Sequence, residues 1–145
     1  MDLFISYDVA LQAYLVISFG LVVLIWLVQL IIYPNFQYLP DTKRTQWHKV
    51  YTPRITAVVA PLIILQLLLC AVLLFYSISL FTVSSILLIL LNLLITFFYF
   101  VPLHVKIDKN KVNYKLLKGL VDTNWYRTGL WSLLFLIALA KEVLT

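Results

Sequence analysis

The feature that most limits what this chain can become is where charge is missing. Val9 to Pro40 make 32 consecutive residues without a charged side chain, and Ile55 to Val105 make another 51. A helix crosses the hydrocarbon of a bilayer with about 20 apolar residues, so the first gap holds one crossing and the second holds two. The turn between those two falls at Tyr76-Ser77-Ile78-Ser79, giving helices over about 9–33, 54–75 and 79–103. A fourth crossing is harder to draw. Only 13 residues, Thr128 to Ala140, separate Arg127 from Lys141, so it must take in Arg127 and run over about 124–143. Composition agrees, with 63% of the 145 residues hydrophobic, 12% charged and a mean hydropathy of +1.01. A water-exposed surface takes about 25% charged residues. The expected fold is all-α, a polytopic membrane four-helix bundle in a single transmembrane domain over residues 1–145. A signal peptide fits the N-terminus poorly, because Asp2 and Asp8 stand where positive charge belongs and no small-residue cleavage site follows.

The cations set the orientation. Lys43, Arg44, Lys49 and Arg54 follow the first helix, and Lys106, Lys109, Lys111, Lys115, Lys118 and Arg127 follow the third. Ten of the 11 basic residues thus lie in two loops that four crossings put on one face. The positive-inside rule makes that face cytoplasmic and leaves both termini outside, in a bacterial inner membrane. A sequence pI of 9.4 therefore reflects topology and not a nucleic-acid partner. Within the loops, residues 41–51 and 110–121 alternate apolar and basic positions at helical spacing. Both read as interfacial amphipathic segments whose lysines meet anionic headgroups, each worth about 1 kcal/mol.

Each half of the chain runs helix, proline (Pro34, Pro102), basic stretch, then an aromatic–arginine helix start. Those starts are Tyr51-Thr-Pro-Arg54 and Asn124-Trp-Tyr-Arg127. Such a pattern fits a parallel two-helix repeat about the membrane normal, which would gather both arginines at the cytoplasmic mouth. Other polar residues lead to the same mouth. Gln29 lies one turn above the end of the first helix, and Asn92, Thr96 and Tyr99 descend the third towards His104. In lipid such groups must face the bundle and find partners, so Gln29, Gln66, Asn92 and Asn124 should point inward. They either join helices or line a site.

The chain has two histidines, His48 and His104, both at this face beside Arg54 and Arg127. Asp122 is the one acidic residue near either arginine in sequence, so an anionic ligand group is a suitable partner for them. Trp47, Trp125 and Trp131 can wall such a site or simply mark the interface. The apolar spans hold no carboxylate, which disfavours a hydrolytic triad and an ion-coupled transporter. Two histidines and the single Cys70 do not make a zinc site, and one cysteine makes no disulfide. A b-type haem with His48 and His104 as axial ligands stays open.

Val101-Pro102-Leu103-His104, a short basic stretch and Asn124-Trp125-Tyr126-Arg127-Thr128 together resemble the anthrone-oxygenase-like group of small four-helix bacterial membrane proteins. Leu103 and His104 stand where that group has an asparagine. The segments Ile32-Tyr33-Pro34-Asn35-Phe36 and His48 to Arg54 are more similar to another four-helix bacterial membrane family, one without an assigned activity. The resemblance implies a site at the cytoplasmic end for a flat hydrophobic molecule. The expected function is binding or transformation of a lipophilic molecule such as a lipid, quinone, polyketide or isoprenoid with an anionic or carbonyl group. Arg54 and Arg127 would hold the polar group, Gln29 and Asn124 would orient it, Trp47 and Trp125 would wall it, and His48 or His104 would handle protons. The alternative is a non-catalytic assembly or accessory subunit, as a homo- or hetero-oligomer.

Overall fold

A computed structural model describes residues 5–144; Asp2 lies outside them. Four helical rods follow one another: α1 over Tyr7–Tyr38, α2 over Asp41–Tyr76, α3 over Leu80–Asp108 and α4 over Tyr114–Val143. The first three are long and apolar enough to cross a membrane. At 30 residues α4 reaches about 45 Å. Asn124, Arg127 and the lysines of its first third make it less apolar.

The helices form a ring in chain order. α1 packs along α2 and α4, and α3 packs on α4 and α2. Gln12 on α1 donates to Glu142 on α4 at one end, while Gln29 donates to the Val121 carbonyl towards the other, so these two helices run antiparallel. Ser79 caps α3 in a reciprocal arrangement with Thr82, which stops α2 from running on through the turn. Asn113 caps α4 by accepting from the Leu116 N–H at 2.9 Å, after Asn110 has turned the chain in the left-handed region at φ 51°.

Two expected boundaries move. The segments 41–51 and 110–121 are not separate from the rods, because 41–51 opens a continuous 36-residue α2 and residues 114–121 open α4. Residues 41–52 contain neither glycine nor proline, and Pro53 removes only the bond its N–H would give the Lys49 carbonyl. Basic residues mark where a helix can leave lipid, not where it ends. On α4, Lys118 pairs with Asp122 one turn on; this hydrogen bond holds its ammonium above the ordinary lysine value.

Prolines shape the other two rods. Over Val28–Ile32 and Thr96–Phe100 the turn widens, so that Tyr33 bonds the Val28 carbonyl and Val101 the Thr96 carbonyl, five residues back. Pro34 and Pro102 come immediately after those bonded residues. A proline lacks the N–H for the regular bond and its ring crowds the carbonyl four residues back; a widened turn relieves both.

Arg44 closes the α1–α2 corner. Buried, it donates to the Phe36 and Leu39 carbonyls at 2.7 Å each and to Asp41 at 2.8 Å. Those carbonyls belong to the frayed end of α1, where a helix leaves acceptors unpaired.

Candidate functional site

The buried face of α2 runs through Arg44, His48 and Tyr51, then returns at Gln66, Cys70 and Leu73. Steps of three and four keep these residues on one side of the rod. His48 is fully buried on that face. Its Nε2 lies 2.7 Å from His104 Nδ1 on α3, and its Nδ1 lies 2.7 Å from Asp108 Oδ1, one turn beyond His104. The Tyr33 hydroxyl on α1 lies 3.1 Å from His104 Nε2. Four side chains from three helices therefore form one continuous hydrogen-bonded row. The Thr52 hydroxyl sits 3.3 Å from both ring nitrogens of His48, within hydrogen-bond reach of either. Tyr33 is held flat between Phe36 and Phe100.

Beside the row lies Arg127 of α4, only 7% exposed. Its guanidinium carbon stands 4.5 Å from the centre of the Phe100 ring and 5.1 Å from that of Trp131. One nitrogen donates to Asn124 at 3.2 Å. Among the described residues no carboxylate pairs with it, and its Nε has no hydrogen-bond partner. Asn124 is fixed in turn by donating to Gln29 at 2.9 Å, and Gln29 accepts from Thr128 as well. This is a buried cation with its ring contacts supplied and its counter-charge missing.

Arg127, Tyr33, His104 and Asp108 border a cavity of about 630 Å³. Apart from Tyr51, Thr52, Thr56 and Thr96 its remaining wall is apolar, with Ile25, Val28 and Trp131 at the back. Ile64 of α2 and Phe97, Val101 and Val105 of α3 are exposed residues of its rim. The cavity therefore opens sideways between α2 and α3, through the flank that an apolar surrounding would cover.

Of the residues singled out from sequence, His48, His104, Asn124, Arg127 and Gln29 come together. Arg54 does not join them. It is exposed and does not border the cavity, because it lies one residue short of Ile55, which does. A step of one residue turns a helical side chain by about 100°. The two arginines that the repeat would align thus have opposite surroundings. Trp47 stacks on Tyr51 and Trp125 meets Trp26 edge-on; both are exposed and neither borders the cavity, whereas Trp131 does. Gln66 ties Ser18 to Trp131 deeper in the bundle.

As arranged, the two histidine rings do not fit a haem held between their facing nitrogens. Axial ligation places a metal between two nitrogens, each about 2 Å from it, but the facing nitrogens of His48 and His104 are 2.7 Å apart. They bond each other and leave no space between them.

Sequence reasoning misses Tyr33 and Asp108 as members of the site. The signal for Asp108 is its i+4 spacing from His104, hidden when the third helix is ended at 103. No protein family, no curated protein and no solved structure matches this chain.

Proposed function

We propose that this is a multi-pass membrane protein that holds a lipophilic molecule in the cavity between α2 and α3, its anionic or carbonyl oxygen against Arg127. The carrying observation is that buried arginine, with no carboxylate partner among the described residues and facing an apolar cavity. A charge in such surroundings is stabilised by an oxygen that the ligand brings. The apolar tail lies along Ile25, Val28 and Ile63 and enters between the two helices from the bilayer. All four rods cross, the basic loops are cytoplasmic and both termini are outside; α4 crosses with Arg127 facing the interior and not the lipid. The site then lies in the cytoplasmic half.

The test compares wild type with Arg127→Met, purified side by side, extracted with organic solvent and examined by mass spectrometry. Wild type is expected to carry a lipophile that the variant lacks. The variant keeps its helicity and its thermal midpoint does not fall, because replacing an unpaired buried ion by an apolar side chain of similar size is neutral or stabilising. Identical extracts would overturn the proposal. A variant that loses only an oligomer or a partner protein would point instead to an assembly subunit.

A further inference from the structure

The hydrogen-bonded row has a direction, and one residue sets it. Asp108 is the only member that, as a carboxylate, can only accept. His48 Nδ1, 2.7 Å away, must then carry a proton, and in a ring that carries only one, His48 Nε2 is left as an acceptor. His104 Nδ1, 2.7 Å from that nitrogen, must therefore donate, and His104 Nε2 accepts from the Tyr33 hydroxyl. With one proton on each ring, both protons sit on Nδ1, and the bonds run in one sense from Tyr33 to Asp108. The Asp108 side chain is 39% exposed, so its end of the row meets water. Tyr33 and His104, at the other end, border the cavity beside Arg127, and Asp108 borders it where it meets water.

We infer that Tyr33, His104, His48 and Asp108 are a proton relay between the cavity and water, and that the ligand is a lipophile with a weakly acidic hydroxyl, a phenol or an enol. This rests on the proposed ligand site and names its substrate class. In the transfer the ligand O–H breaks and its proton goes to the Tyr33 oxygen, as the Tyr33 proton passes to His104 Nε2. The proton on His104 Nδ1 moves to His48 Nε2, that on His48 Nδ1 moves to Asp108, and Asp108 releases a proton to water. The ligand is left as an oxyanion facing Arg127. No electron moves, and no co-reactant is needed. The titratable and charged groups around the row are Tyr33 on α1, Tyr51 on α2, Asp108 on α3 and Arg127 on α4. Asp108 alone among them is a carboxylate, so the polarity has one source.

Two readouts test this on the full-length protein in lipid. The ¹⁵N spectrum of its two histidines is expected to show neutral rings protonated at Nδ1 in both. In Asp108→Asn the amide can donate to His48, the row can turn round, and His104 is expected to change tautomer although it does not touch residue 108; Asp108→Glu restores the original pattern. A wild-type His104 protonated at Nε2 would overturn the relay. The second readout uses a nonyl-substituted nitrophenol, whose phenolate is coloured, and a pH jump. Wild type is expected to ionise the bound probe quickly, and His104→Phe, compared at saturating probe, to ionise it more slowly, by on the order of 100-fold. Equal rates would overturn the relay. Failure of wild type to bind the probe would overturn the phenol or enol assignment, while the histidine spectrum, which needs no ligand, still decides the relay.

Discussion

At the scale of single residues, two arginines show how similar side chains acquire different work. Arg127 and Arg44 are both buried, yet Arg44 has all its bonds satisfied by the end of α1 and by Asp41, while Arg127 has an amide, two rings and an Nε without a partner. The first is a fastening and the second a binding group. Arg44→Ala leaves two carbonyls and a carboxylate without their donor, and hydrogen bonds to charged groups contribute about 1.5–3 kcal/mol each. We expect a loss of stability on the order of 3 kcal/mol by chemical denaturation, against little change for the neighbouring exposed Lys43→Ala. Comparable losses in the two variants would mean that the Arg44 bonds carry no stability. In the sequence Arg44 looks like topological charge, whereas Arg54 and Arg127 read alike as helix-entry arginines suited to an anionic group. What separates them is rotational phase on a helix. Phase is legible for Gln29 and Asn124, which the lipid argument turns inward. It is illegible for Arg54, because the basic residues before it hide that α2 already begins at Asp41.

At the scale of helices, the positions of the apolar rods follow from charge gaps, and the turn at Ser77, Ile78 and Ser79 follows from the length of the second gap and its serines. The lengths do not follow. A lysine-rich stretch costs nothing to a helix that has left the lipid, so charge alone cannot say whether the helix stops. The widened turns before Pro34 and Pro102 recur at matching places in α1 and α3, which accords with a repeat. They also set the rotational phase of Tyr33 in one rod and of His104 in the other. Pro102→Ala restores the missing N–H and lets the turn tighten, which rotates His104 about the rod. We expect the Nδ1 proton of His104 to lose its bond to His48, visible as a shifted ¹⁵N resonance, with helix content unchanged. An unmoved resonance would show that the packing of α3, and not its proline, places His104.

At the scale of the whole molecule, the apolar surface and the cavity come from the same arrangement. A ring of four rods with fewer contacts between α2 and α3 leaves a slot on that flank, and Asp108, His104 and Arg127 give the slot a polar end. The end of the bundle at which these groups gather is readable from sequence, since histidines and arginines share the basic loops. The slot is not, because it depends on how closely two apolar helices approach, and alternation of leucine and isoleucine does not encode that distance. The proline-bearing end of α3 and the Asn-Trp-Tyr-Arg-Thr stretch of α4 deliver His104, Asn124 and Arg127 to one site. Under the proposed function Arg127 anchors the oxygen of a lipophile there, and Trp131 is placed to report it, with its ring 5.1 Å from the guanidinium. In a protein whose other tryptophans are replaced by phenylalanine, an alkylphenol brominated beside its hydroxyl is expected to quench Trp131 emission saturably, and only linearly with bilayer partition in the Arg127→Met background. Identical quenching curves in the two backgrounds would contradict the account.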